Sequence, residues 1–363
     1  MSTPAAARRP LAAALGRGAG PAGARPGRRA LWVAAAAVLL VAALTLGVLV
    51  GPAGLTPRAV LLELWGAATG SRGDSGLSAQ QQAILWQIRL PRVVLGAVVG
   101  AMLALAGAAY QGVFRNPLAD PYLLGVSSGA GLGATLAIVA GGAIGGLGLP
   151  VVAFIGGLLG VGATYALGSS VGGGVRSPVV VVLAGVAVAA FLNAVQTFVQ
   201  QRYDDTLRSV YSWLLGRLST QGWSEVVTVL PYVVVAAVVV LLHRRVLDVM
   251  AVGDTEARSL GVDTGRTRLV LVVAATLGTA AVVSVSGLIG FVGIVVPHAV
   301  RLVLGASHRT LLPVSMLVGA AFLVAADVLA RTAMSPAELP IGVVTALVGA
   351  PFFVLVLRRA RLR

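Results

Sequence analysis

The chain has 363 residues, 58% of them hydrophobic, with a mean hydropathy of +0.94 and a formal net charge of +15. This composition excludes a soluble domain and describes an all-α polytopic membrane protein that crosses a hydrocarbon layer of about 30 Å repeatedly. There is no Cys, and every basic residue is Arg, so disulfides, thiolate metal centres, a Walker A lysine and Schiff-base chemistry are all excluded. His243, His298 and His308 are the only histidines, and neither a metal site nor a cofactor is expected. The basic excess lacks the aromatic interleaving of a nucleic-acid surface, so the partner it implies is membrane lipid.

In chain order, residues 1–29 form an Ala/Gly/Pro/Arg-rich tail expected to be disordered and cytoplasmic, followed by a single transmembrane domain over 30–360. Apolar runs at about 30–50, 93–113, 122–142, 149–170, 178–200, 226–242, 269–285, 288–305, 311–330 and 340–357 predict about ten transmembrane helices with both termini cytoplasmic. The first run is too long for a signal-peptide core and reads as an uncleaved span. Arginine tests the sidedness: 19 fall on the assigned inner side and 8 on the outer, the bias expected of cytoplasmic loops. The outer segments 52–92 and 201–225 are long enough for short surface helices. They hold Trp65, Trp86, Trp213 and Trp223, candidates for an interfacial belt.

Several residues stand out against this apolar background. Gly125–Gly129 reads G-x-S-x-G, but a nucleophile elbow needs a strand–turn–helix context and a histidine base; glycine-mediated helix packing explains it better. Arg89 and Arg92 precede the second span on the outer side, where arginine is disfavoured, so they bind either an acidic surface or lipid phosphate. Asn193, Gln196 and Gln200, with Thr197 beside them, form a polar stripe in the fifth span that either glues helices or lines an aqueous path. Asp327 lies inside an apolar span with Arg331 four residues on, the spacing of an intramembrane ion pair.

The longest polar interval of the second half is 243–268. Asp254 is placed to cap a short helix, Thr255–Leu260, that Gly261 would end. The segment is either a solvated loop or an element made to be touched from outside the membrane.

Three stretches resemble the FecCD permease family: Arg89–Ala134 (RLPRVVLGAVVGAMLALAGAAYQGVFRNPLADPYLLGVSSGAGLGA), Gly287–Pro313 (GLIGFVGIVVPHAVRLVLGASHRTLLP) and Ala337–Arg359 (AELPIGVVTALVGAPFFVLVLRR). The resemblance covers about residues 30–360. It implies the membrane subunit of a binding-protein-dependent ABC importer for ferric siderophore, haem or cobamide, the ferric siderophore being expected on the family's commonest use. It also implies a permease homodimer or a pair of close relatives, two cytoplasmic ATP-binding subunits and an extracytoplasmic substrate-binding protein. Under it the region at about 246–262 is the coupling element, with Gly253, Asp254, Glu256, Ala257, Leu260 and Gly261 facing the ATPase. Arg89, Arg92 and Arg331 become docking residues for the binding protein, and Asn193, Gln196, Thr197 and Gln200 line the translocation path. No catalytic residue is implied. A secondary transporter is the rival class, but it would need several intramembrane charges, and only Asp327 presents itself.

Overall fold

The computed structural model describes residues 26–70, 75–170, 178–218 and 222–361. The predicted tail lies outside this set except for its last four residues, which already belong to helix α1, Pro26–Leu49.

Two helices follow at one end of the molecule: α2, Pro57–Thr69, begun by proline at N1 and ended by Gly70 with φ +68°, and α3, Ala79–Ala83. Ser78 accepts from the Gln81 amide while the Gln81 side chain caps back, a complete capping box. A π-turn, Ile84–Arg89, joins α3 directly to α4, Leu90–Phe114. The second span therefore begins well before residue 93. Arg89 sits in the π-turn and Arg92 in the first turn of α4, rather than in a loop ahead of it.

Beyond α4, a 3-10 turn at Pro121–Leu124 precedes α5, Val126–Val139. A two-residue hairpin, β1 Ala143–Ile144 with β2 Leu147–Gly148, leads into α6, Leu149–Ser170. The chain continues with α7, Pro178–Arg202, α8, Leu207–Leu214, and α9, Ser224–Leu242. The polar interval folds as α10, Arg244–Met250, and α11, Asp254–Ser259. The last four helices are α12, Thr264–Ser286, α13, Val292–Leu304, α14, His308–Thr332, and α15, Ile341–Arg361.

Among the described residues, seven helices are long and apolar enough to cross a membrane, and three shorter apolar helices accompany them at Val126–Val139, Val292–Leu304 and Ile341–Leu355. They correspond one for one to the ten predicted runs. α5 and α13 start later than predicted. Gly125 and Gly287 take φ +84° and +68°, and the backbone before each short helix is irregular although its residues are apolar. Hydrophobicity alone does not distinguish such backbone from helix.

The core is built on α4, which packs against α14, α12, α13 and α9. Without water to drive association, membrane helices gain from close backbone approach, and small residues permit it. A Cβ on Gly107 of α4 would collide with the backbone of Gly293 in α13. The α5–α6 contact works the same way: a Cβ on Gly129 would strike the Gly156 carbonyl. The G-x-S-x-G match is thus part of a packing seam, as its apolar context implied. Trp65 is exposed and Trp223 is 37% exposed, but Trp213 is buried at 3% and does not belong to an interfacial belt.

Candidate functional site

Three groups of polar residues stand out: two at opposite ends of the α4–α14 pair and one along α7. These two long helices run antiparallel, so the start of each lies near the finish of the other.

The first group surrounds α11. Gly253 is the N-cap and Asp254 the first helical residue, one position earlier than predicted. The helix closes with a Schellman motif, the Val262 amide donating to Ala257 O at 3.0 Å and the Gly261 amide to Arg258 O at 2.9 Å, with Gly261 at φ +81°. Asp254 does not cap its own helix. Its carboxylate pairs with Arg115 Nη2 at 3.2 Å and accepts from Arg268 Nη2 at 3.1 Å. Arg115 ends α4 in a left-handed conformation, φ +50°, and Arg268 lies in the first turns of α12, 2% exposed. Ala257 is fully buried, whereas Leu260 is 71% exposed and Glu256 is exposed. The helix thus has one face tied to the ends of α4 and α12 and one face open.

At the far end, Arg92 of α4 is the hub. Its Nε and Nη2 donate to Asp327 Oδ1 of α14 at 3.0 and 2.9 Å. Its Nη1 and Nη2 also make a two-pronged pair with the Glu338 carboxylate, both at 2.9 Å. The predicted Asp327–Arg331 pair is present but longer, 3.5 Å from Arg331 Nε. Arg331 also donates to Gly47 O, and Arg89 donates to Val48 O at 3.1 Å, both at the end of α1. Arg89 and Arg331 are each 3% exposed, while Glu338 is 47% exposed. The arginines that disobey sidedness statistics are therefore held by internal acids and carbonyls, and what the rim presents outward is the Arg92–Glu338 fork.

On α7 the polar stripe divides. Gln196 is buried, its amide donating to Thr135 Oγ1 of α5 at 3.1 Å, and Gln200 is buried as well. Asn193 and Thr197 face outward beside Phe191 and Phe198, which are 69% and 71% exposed. Gln196 ties α7 to α5, Gln200 is buried, and the other two lie on an open face.

A fourth polar centre was not foreseen. Asp120, between α4 and α5, caps the 3-10 turn by accepting from the Tyr122 amide at 2.8 Å. Burial pushes its carboxyl up from 3.8 to about 6. The Tyr122 hydroxyl in turn clips the irregular segment before α13, accepting from the Ile289 amide and donating to its carbonyl, both at 3.2 Å.

The partners Glu338, Arg115 and Asp248 were also missed by sequence reasoning. Glu338 lies inside the third resembling stretch, which was its only available signal. Among the described residues no group of three or more His, Asp or Glu side chains is placed to hold a metal ion.

The described residues thus form a bundle of apolar helices with charged anchors at both ends. The model of the FecCD transport family matches residues 39–359, and the chain belongs to that family. It is therefore a multi-pass permease of the cell membrane. It is 43% identical to the cobalamin import system permease protein of Halobacterium salinarum, over 93% of this chain and 98% of that one. It is 41% identical to the hemin transport system permease protein of Yersinia pestis, over 76% and 84% respectively. It is 39% identical to an Fe(3+) dicitrate transport system permease protein of Escherichia coli K12, over 77% and 86%. A solved inward-facing structure of a metal-chelate type ABC transporter superposes with a TM-score of 0.76 at 31% identity, covering 90% of this chain and 98% of that one.

Proposed function

We propose that this chain is the membrane-spanning half of an importer for bulky metal chelates, paired with a second permease copy and driven by two cytoplasmic ATPase subunits. The observation that carries this reading is the mounting of α11: a short helix, open on one face, whose Asp254 is fastened to the ends of two long buried helices through Arg115 and Arg268. An element so fixed passes a push from outside into the bundle. The chain has no lysine for a nucleotide loop of its own, which fits a separate motor. The arginine bias puts α11 on the cytoplasmic side and the Arg92 rim outside.

At the outer rim, an extracytoplasmic binding protein with an acidic surface would take the place of Glu338 on Arg92, the least buried of the three arginines, with Arg89 and Arg331 supporting it from within. The open face of α7, carrying Asn193 and Thr197, is the proposed path lining and permease–permease contact. It is uncharged and holds no metal-ligating residue, which suits a cargo whose metal is already enclosed. Relatives named for cobalamin, hemin and ferric dicitrate are similarly distant, at 43%, 41% and 39% identity, so the cargo is assigned to the class they share and not to the ferric siderophore alone.

The test is Ala257→Pro in the reconstituted permease–ATPase complex. Proline removes the amide that donates to Gly253 O at 3.0 Å and adds bulk at a fully buried site. The expected outcome is a permease that still inserts in the membrane but in which binding protein no longer stimulates ATP hydrolysis. Stimulation at the wild-type level would overturn the coupling role of α11.

A further inference from the structure

The amide groups at the start of a helix have no partner within it and are met by whatever lies nearby. At the start of α14 that role falls to a residue of a different element. Asp248, in α10, accepts from the His308 amide at 2.6 Å, from His308 Nδ1 at 2.9 Å and, through its second oxygen, from Ser307 Oγ at 3.0 Å. Ser307 makes no side-chain cap of its own. The Arg309 guanidinium lies 4.0 Å away. His308 is 5% exposed, and its Nε2 has no hydrogen-bond partner. That nitrogen lies against α4, where a Cβ on Gly112 would sit 2.6 Å from it. The imidazole thus fills the wedge between α14 and α4 while its other nitrogen holds Asp248.

Asp248 lies six residues before α11, on the helix that precedes it across the turn 251–253. α14 is 25 residues long, about 37 Å at 1.5 Å per residue, and near its far end Asp327 meets Arg92 and the exposed Glu338 fork. One helix therefore joins the coupling element to the opposite rim, with a carboxylate-centred joint at each end. We propose that Asp248 is a positioning residue for transport: with His308 it clamps α10 to α14, so that displacement of α11 is delivered along α14 to the Arg92–Glu338 rim. This inference rests on the importer reading. A residue that only stabilised α14 would change melting temperature but not the coordination of the two ends.

The chain contains no cysteine, so nitroxide pairs can be placed at will. One pair, Val252→Cys with Ser170→Cys, reports the α11 end; the other, Met334→Cys with Tyr203→Cys, reports the far rim. All four positions are exposed. Pulsed dipolar distances are measured in the permease–ATPase complex, without nucleotide and with ATP plus vanadate. In the otherwise unchanged chain both pairs shift. In Asp248→Asn the α11 pair still shifts, but the rim shift falls to about a third or less. His308→Asn keeps a donor near the Nδ1 position and retains the rim shift, whereas His308→Leu loses it. Thermal melting of each complex, followed separately, identifies any variant that merely unfolds, and the histidine pair then decides the matter.

A rim shift in Asp248→Asn and His308→Leu equal to that of the unsubstituted chain overturns the clamp alone. An unsubstituted complex whose α11 pair ignores nucleotide overturns the importer reading and the clamp with it.

Discussion

α4 and α7 are both 25 residues long, both rich in Ala and Val, and both read as membrane spans. Yet α4 is buried almost throughout, from Pro91 to Phe114, while the described part of α7 buries only Val181, Ala184, Gly185, Gln196 and Gln200. Within a lipid solvent apolarity does not choose the interior, because the surroundings are equally apolar. The choice is made by fit. Gly100, Gly107 and Gly112 of α4 each meet a different neighbour at a distance no side chain would allow, so its position is dictated from several directions. On α7 Gly185 makes one such contact, with Leu123, and Leu183, Phe191 and Phe198 are left open for another surface.

This contrast is open to direct attack. The largest effect is expected from Gly107→Leu, which forces a side chain into the backbone of α13 and should leave no folded protein recoverable in detergent, a loss of about 3 kcal/mol or more. Recovery of a normally melting protein would mean that the α4 contacts are soft.

Next comes a matched pair. Leu105→Ala, at a fully buried site in α4, should destabilise the chain by about 2–5 kcal/mol. Leu183→Ala on α7, 64% exposed, should change monomer stability by no more than about 0.5 kcal/mol while weakening self-association. Thermal melting and a dimerisation assay on the two variants check both halves. Equal melting shifts would erase the distinction between the helices.

The smallest effect tests whether polar burial beyond the end of α4 follows the same demand for fit. Asp120 holds its proton more tightly in the folded chain than in the unfolded one, with its carboxyl raised from 3.8 to about 6. Its contribution is therefore most favourable below the lower value and is lost as pH rises through this window. Asp120→Asn keeps an acceptor for the Tyr122 amide, so it should flatten that pH trend and raise the melting temperature at pH 7.5 by about 3 °C. A pH profile identical to that of the unsubstituted chain would show that the carboxylate is already accommodated.

How much of this was legible in the sequence follows the same line. The ten apolar runs mark every long helix because hydrocarbon thickness sets their length. The short helix α11 was readable from Gly261, whose left-handed conformation ends it, although its start was misplaced by one residue. The polar stripe was seen as a unit but is split, because whether Gln196 turns inward depends on Thr135, 61 residues away. The extension of the second span back to Ala79 was hidden by the polar run Gln80–Gln82, which lies outside any apolar window. The acid partners of Arg92, Arg115 and His308 come from distant parts of the chain. Charge at one position says that a partner exists, but only the packing says which.

The two short helices carry a further consequence. α5 and α13 have 14 and 13 residues, about 20 Å each, against a hydrocarbon layer of about 30 Å. α5 exposes only Leu136, at 38%, whereas α13 shows Leu302 and Val303 to the surroundings, 65% and 45% exposed. The surroundings therefore meet long apolar helices along α1 and α9 but only the last turn of α13, where a short span would favour a thinner bilayer. Transport in vesicles of graded acyl-chain length is therefore expected to slow as the lipids lengthen, the mismatch falling on the irregular backbone between Gly287 and Phe291.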